Sequence, residues 1–177
     1  MLTTDCDDAT YIDLDEATKA AEVQVAYGRS FYAGAANAST PNAGEVIGIL
    51  AAQTPGAVRS GMEAALGALQ RIGFEEVNNV PYLAQTVSSV GSFLAKEAGV
   101  RQGTALAYLI APPLEGMYAM DAALKAADVT LCKLYAPPSE TNFGGGLLCG
   151  TQSACDAACA AFREAVAEVA ENPREAN

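Results

Sequence analysis

The chain has 177 residues, about half of them hydrophobic, and its 21 acidic and 10 basic side chains give a net charge of −11. This length holds one large domain or two small ones. The negative charge argues against nucleic acids and anionic membranes as partners, because both are polyanions. It favours a small cationic ligand or a basic protein partner instead.

The sequence predicts neither a membrane span nor a leader. No apolar run reaches the roughly 18–20 residues that cross a bilayer. Three aspartates, Asp5, Asp7 and Asp8, stand where a signal peptide would carry basic residues. We therefore expect a cytoplasmic protein.

The N-terminal segment predicts the end of a strand and then a helix. Residues 1–4 are typical of the last residues of a strand, and the acidic turn Asp5-Cys-Asp-Asp8 follows. A helix is expected from about Asp15 to Glu22. Asp13 would cap it, with Glu16 completing a capping box.

Strand and helix patterns then alternate along the chain. Val23, Val25 and Tyr27 alternate as in a strand. Thr54-Pro55 is a strong helix start, with Ser153 a plausible cap for the last helix. The predicted elements are strands 23–31, 45–52, 82–88, 105–111, 129–136 and 146–150, and helices 54–71, 90–98, 115–127 and 153–170.

A repeat divides the chain into two similar halves. The pattern D-x-A-x-K-A-A-[DE]-V occurs at Asp15–Val23 and again at Asp121–Val129, 106 residues later. Each copy leads into a strand, a Gly-rich loop, another strand and a second helix, with a boundary near residues 73–81. The first half lacks an initial strand and helix that the second half has. We expect either a shortened chain or a strand supplied in another way. Pseudo-equivalent units suit symmetric assemblies.

The five cysteines do not predict a disulfide framework, because their number is odd and their spacing irregular. Cys155 and Cys159 lie four residues apart on a predicted helix. They could place two thiolates on one face for a metal. Burial as small hydrophobic residues is the favoured interpretation.

Enzyme activity is not expected. The chain has no histidine to act as a general base near neutral pH. It contains no dinucleotide-binding glycine motif after a strand and no P-loop lysine motif. Gly144-Gly-Gly146 is interpreted as a turn between strands.

Six short strings stand out along the chain: Asp5–Asp8, Asp15–Ala21, Tyr27–Gly34, Ala43–Val46, Ala111–Glu115 and Pro137–Phe143. In this order they resemble bacterial microcompartment (BMC) shell proteins, in particular the tandem-domain, trimer-forming type of ethanolamine-utilisation compartments. A shell protein of an ethanol- or diol-using compartment is the alternative within the class. The resemblance covers essentially the whole chain, although the family's N-terminal strand and helix, roughly forty residues, are absent and residues 67–82 diverge.

The resemblance implies an α/β (α+β) chain of two circularly permuted, ferredoxin-like BMC domains, at residues 1–75 and 76–177. It implies a homotrimer that imitates a hexagon and tiles, through contacts with other shell proteins, into a microcompartment facet. Pores would carry small polar metabolites such as ethanolamine. No cofactor is expected from the residues, although the family has been associated with a cobalamin. A binding or sensing protein for an amino alcohol or corrinoid on the same fold is the contrasting hypothesis.

Carboxylates are the expected ligands of a small cation. Asp7, Asp8 and Glu45 lie at ends of predicted strands that a sheet could bring together, and a primary ammonium is well satisfied by carboxylates. On residues alone, helix capping and a solvated strand edge are the simpler interpretation. The resemblance instead places Asp8, Glu45, Phe74 and Thr141 at a small pore.

Two Gly-rich loops at matching places in the repeat carry aromatic residues. Rings on flexible hinges could open or close a passage. They could equally pin long connections to the body of the protein. The resemblance favours a central pore, and the candidate residues are Arg29, Phe31, Tyr32, Glu140, Asn142 and Phe143.

Lys19 and Lys125 occupy matching positions in the repeat. They could keep an Ala-rich helix soluble. In a tiling protein, a lysine at an edge could instead bond the backbone of a neighbouring disc.

Overall fold

The computed structural model describes residues 1–31, 45–137 and 143–172. They form two units, each with its own antiparallel sheet and helices. The first unit comprises Met1–Gly73 and Ser89–Thr104, and the second comprises Phe74–Ser88 and the residues from Ala105 onward.

The first unit has a three-stranded sheet in the order β1-β3-β2. Its apolar core includes Leu2 and Leu50 from the sheet, Leu14 from α1, and Val23 from the connection between α1 and β2. Helix α2 begins with a side-chain cap, because the Thr54 hydroxyl accepts the Ala57 N–H at 3.2 Å. The elements are β1 (Leu2–Thr4), α1 (Asp7–Ala20), β2 (Gln24–Phe31), β3 (Glu45–Ala51), α2 (Pro55–Leu69) and α3 (Ser92–Ala98).

The second unit has a five-stranded sheet in the order β4-β5-β6-β8-β7. Every residue of β6 is buried, as a central strand requires, and Leu148 and Phe162 are among the residues that complete the core. The elements are β4 (Glu75–Val77), β5 (Val80–Val87), β6 (Ala105–Ala111), α4 (Pro113–Ala126), β7 (Val129–Tyr135), β8 (Gly144–Gly150) and α5 (Gln152–Glu171).

The sequence repeat is a structural repeat. Helices α1 and α4 both have 14 residues, and their first residues, Asp7 and Pro113, are as far apart as the repeated aspartates. The following strands carry a register shift at the same place, between Val25 and Tyr27 in β2 and between Leu131 and Lys133 in β7. Two units of one design therefore follow each other along the chain.

The predicted start of the first helix is wrong. Helix α1 begins at Asp7, so the expected acidic turn is the first turn of the helix and Asp13 lies within it rather than capping it. Thr10, Tyr11 and Ile12 favour extended backbone as β-branched and aromatic residues. Burial of this segment against the sheet and α2 overrides that local preference.

Three further local predictions need correction. Gly144–Gly146 begins β8 and is not a turn between strands. Thr151, not Ser153, caps α5, because its hydroxyl accepts the Ala154 N–H at 3.2 Å. The expected boundary segment contains a hairpin between β4 and β5. Asn78 and Asn79 turn it with φ values of 48° and 63°, which match the two positive-φ positions of a type I′ turn.

Helix α3 belongs to a different unit than its sequence position indicated. The repeat put residues 90–98 into the second half, whereas Ser89–Thr104 groups with the first unit. Gly99 ends α3 in the left-handed conformation, at φ 68°, as expected. The division into BMC domains after residue 75 stays a prediction.

Candidate ligand-binding site

The predicted carboxylates Asp7 and Asp8 lie in the first turn of α1. Their side chains are 5% and 7% exposed. Asp7 Oδ1 accepts the Asp8 N–H at 2.8 Å, and two negative charges at a helix N-terminus complement the helix dipole. The acidic segment therefore supplies charges to the first turn of α1, whose N-cap residue Cys6 forms no side-chain cap, and a ligand role for Asp7 and Asp8 stays a prediction.

Burial dominates the electrostatics of Asp7. It raises the pKa of the Asp7 carboxyl, and the neighbouring Ser30 hydroxyl and backbone N–H groups lower it again. Ser30 Oγ itself is buried and has no hydrogen-bond partner among the described residues. Burial also raises the pKa of the Cys6 thiol to about 12, with the nearby aspartates adding to the effect. A cation at this end of the first sheet would find carboxylates that already lack full solvation.

The backbone places Glu45 at the same end of that sheet. Thr4, the last residue of β1, pairs with Val46, so the end of β1 lies beside the start of β3 just before α1 begins. Glu45 itself pairs with Phe31. The topology therefore brings the start of β3 and the first turn of α1 together, as the sequence predicted.

The structure describes only some of the other predicted site residues. Arg29 is exposed on β2, opposite Ile47. The side chains of Glu45 and Phe31 lie outside the described parts of the structure, as do Tyr32, Thr141, Glu140 and Asn142.

Phe74 and Phe143, predicted for two different sites, pack against each other in the second unit. Their ring centroids are 5.4 Å apart at an interplanar angle of 76°, a favourable edge-to-face arrangement. Phe143 is only 7% exposed. The packed Phe143 ring anchors the start of β8. This agrees with the alternative that the loop aromatics attach long connections to the body of the protein.

The sequence pattern did not identify two buried aspartates of α1. Asp15 accepts the Gly91 N–H at 2.7 Å and the Leu94 N–H at 2.8 Å. Burial raises the pKa of Asp15, and those two hydrogen bonds lower it again. The one sequence signal for a structural role of Asp15 was that both copies of the repeat retain an aspartate at this position.

Asp13 is fully buried, and its carboxylate oxygens have no hydrogen-bond partner among the described residues. Burial raises its pKa to about 7; Glu16 contributes, and Arg71 opposes the shift. This carboxyl group therefore titrates near neutral pH.

The second unit holds an open polar cavity of about 420 Å³ between β5 and α5. Arg163 lies at its edge, with its guanidinium donating to the Ala84 carbonyl and 3.4 Å from Glu75 Oε1. The lining residues are distant in sequence, so no local pattern indicated the cavity. They are Gln85, Thr86, Ser88, Gln152, Asp156, Cys159 and Arg163.

Four of the five cysteines lie in the second unit. Cys155 and Cys159 are 0% and 1% exposed, which confirms their predicted burial. Burial raises the pKa of Cys155 to about 11. Within the described ranges, no group of three or more acidic, cysteine or histidine side chains is arranged to hold a metal ion.

In the part of the chain that the structure describes, no helix combines the length and apolar character of a bilayer span.

Comparison with known proteins decides the family. No protein-family model matches the chain. The Clostridium perfringens (strain 13 / Type A) protein named bacterial microcompartment shell protein EutL is 63% identical over 177 residues, 98% of this chain and 82% of that protein. The chain belongs to the EutL family of bacterial microcompartment shell proteins. The EutL protein of Escherichia coli (strain K12) is 49% identical, matching 98% of this chain and 81% of its own length.

A solved EutL structure confirms the fold class. The crystal structure of ethanolamine utilization protein EutL from Leptotrichia buccalis C-1013-b is 59% identical, with a TM-score of 0.89 over 97% of this chain and 81% of that one. The predicted tandem shell-protein architecture is therefore correct.

Family membership also confirms the predicted class of function. EutL proteins are structural shell proteins rather than enzymes, and they belong to oligomeric shells of microcompartments in the bacterial cytoplasm. The predicted location, in the shell of a bacterial microcompartment, follows from this family membership.

Proposed function

We propose that the chain is a shell subunit of an ethanolamine-utilisation microcompartment that forms homotrimers and carries pores for small polar metabolites. The observation that supports this most directly is the structural repeat, in which two helices of equal length and two strands with matching register shifts follow one design. Three chains of two such units can close a ring with pseudo-sixfold symmetry. Such a ring tiles with others through lateral contacts.

The metabolite site we propose lies at the end of the first sheet, where Asp7 and Asp8 are in the first turn of α1 and Glu45 begins β3. Ethanolamine carries one primary ammonium, whose three N–H donors match carboxylate acceptors. Asp7 and Asp8 are already largely desolvated, so an ammonium there regains charge pairing that solvent does not supply. No cofactor is assigned, and an association with cobalamin stays a prediction of the resemblance.

Sedimentation equilibrium tests the assembly. We expect a species of about 54 kDa, three chains of 18.1 kDa, and larger sheets at raised protein concentration. Electron microscopy of the concentrated protein would show such sheets. A protein that remains monomeric at every concentration contradicts the trimer.

Titration calorimetry with ethanolamine tests the metabolite site. We expect binding to the wild type and a loss of roughly tenfold or more in affinity for Asp8→Ala, because a charge-assisted hydrogen bond is removed. Asp5→Ala is the matched control, since Asp5 is an exposed neighbour of the same charge, and its affinity should equal that of the wild type. Equal affinity of Asp8→Ala and wild type removes Asp8 from the site.

A further inference from the structure

The open polar cavity of the second unit lies between one face of α5 and the last residues of β5. Helix α5 contributes Gln152, Asp156, Cys159 and Arg163, and their spacing of four, three and four residues places them on one side of the helix. The cavity measures about 420 Å³, which is within the range of sites that enclose small molecules. It therefore has room for a ligand of hexose size.

The polar lining is not a by-product of the repeat. Helices α2 and α5 both begin directly after a capping threonine, so their faces are matched residue by residue. On α2 the positions of Asp156 and Arg163 hold Arg59 and Leu66. The polar stripe thus belongs to α5 and not to α2.

The β5 wall of the cavity is already satisfied in its backbone. Strand β4 pairs with β5 only as far as Tyr82. Beyond that point the Ala84 carbonyl accepts a hydrogen bond from the Arg163 guanidinium. The Thr86 carbonyl accepts one from Gln85 Nε2 at 3.0 Å. An added strand would have to displace both side chains, whereas a small molecule in the cavity competes with neither bond.

The side-chain groups left for a ligand are mainly acceptors. Gln85 uses its amide nitrogen on the Thr86 carbonyl, which leaves Oε1 to accept. The Thr86 hydroxyl donates to Cys159 Sγ at 3.4 Å, so its oxygen lone pairs remain. Asp156 adds a carboxylate to the same lining. A ligand that fits this cavity must therefore bring hydrogen-bond donors.

The charges of the cavity favour a single positive charge on that ligand. Asp156 and Arg163 are the charged side chains among the described lining residues, two turns and about 10 Å apart along the helix axis. Arg163 lies 3.4 Å from Glu75 Oε1, which offsets its charge. A cationic donor therefore gains most beside Asp156, and the Arg163 end disfavours a second cation.

We propose that this cavity binds a polyhydroxylated primary amine of about hexose size, with its ammonium beside Asp156 and hydroxyl groups donating to Gln85 and Thr86. An ammonium supplies one charge and three donors, and hydroxyls supply the neutral donors that the β5 wall accepts. The site lies wholly in the second unit, so it does not depend on the metabolite site proposed for the first.

Saturation-transfer NMR titrations of the full chain with glucosamine and glucose test the site. Glucosamine is glucose with an ammonium in place of one hydroxyl. We expect the wild type to bind glucosamine roughly tenfold more tightly than glucose, because the ammonium forms a charge-assisted hydrogen bond. Asp156→Asn keeps the shape of the side chain and should bring the two affinities within about twofold. Asp128→Asn, which changes an exposed aspartate just beyond α4, should leave the preference intact.

Hydrogen exchange locates the bound amine. We expect glucosamine to slow exchange at residues 84–88 and in the first two turns of α5, and not in α2. An unchanged preference in Asp156→Asn, or no binding of either sugar to the wild type, overturns the site. Binding that is lost in Asp8→Ala but kept in Asp156→Asn also overturns it and supports the metabolite site of the first unit. Failure of ethanolamine to bind contradicts that metabolite site and leaves this cavity to be decided by the two sugars.

Discussion

Replacing Asp13 with asparagine should stabilise the protein at pH 8 and have little effect at pH 5. The Asp13 carboxyl group is fully buried without a hydrogen-bond partner among the described residues, and its pKa is raised from 3.8 to about 7. Between these two pKa values, the Asp13 carboxyl group is protonated in the native state and ionised in the unfolded chain. Stability contributed by this group is lost as pH rises from about 4 to 7. Asparagine has the same shape and never carries the charge.

A rise in pKa of this size corresponds to at most roughly 4 kcal/mol of unfolding free energy. A buried amide without a partner also carries a cost, so we expect a gain of about 1–3 kcal/mol at pH 8. Urea unfolding at pH 5 and pH 8 measures it, with Asp128→Asn as an exposed control. Because burial raises the pKa of Asp7 and Asp15 as well, the informative quantity is the difference between variant and wild type. A difference that is the same at both pH values contradicts the prediction.

Truncation of Asp15 to alanine should cost roughly 3–5 kcal/mol, because it leaves two buried backbone N–H groups without partners and removes charge-assisted hydrogen bonds. The groups are those of Gly91 and Leu94, which hold the start of α3. Urea unfolding measures the loss, and hydrogen exchange shows where it arises. We expect faster exchange across residues 90–98 than across β6, whose residues are all buried.

Asp121→Ala is the matched control, since Asp121 occupies the same place in the repeat but is 62% exposed. Its effect on the unfolding free energy should stay within about 0.5 kcal/mol. Asp15→Asn retains one acceptor and should lose less than the alanine variant, which keeps the test valid if Asp15→Ala does not fold. Unchanged stability and unchanged exchange in both Asp15 variants would show that α3 is held by other contacts.

Local pattern was sufficient for most elements because their signals lie within a few residues. Thr54 and Pro55 start α2, and Gly99 ends α3, as predicted. The first helix was missed where local preference and packing disagree, since Tyr11 and Ile12 favour extended backbone yet lie within α1. Only the folded chain shows that burial prevails there.

The candidate site likewise divides into features that local sequence signals predict and features that only packing in the folded chain determines. Strand ends placed Glu45 near the start of α1, because antiparallel pairing follows from element order and turn length. The packing partner of α3 is set by contacts between residues more than 70 positions apart, such as Asp15 and Leu94. No periodicity encodes such a contact, so the role of Asp15 was not predictable from its neighbours in sequence. The repeat preserved that aspartate, but without a structure nothing separated it from the solvated acidic residues around it.

The matching register shifts of β2 and β7 have a consequence for how copies of the chain meet. Among the described residues, both strands stand at the edges of their sheets, and a free strand edge invites indiscriminate strand addition. A bulge bends and twists such an edge out of register with any straight partner. Leu131 and Leu134, 41% and 49% exposed on β7, then offer side chains for contact while the backbone edge resists open-ended growth. In an assembly of many copies, we expect this repeated irregularity to disfavour open-ended strand addition at both edges.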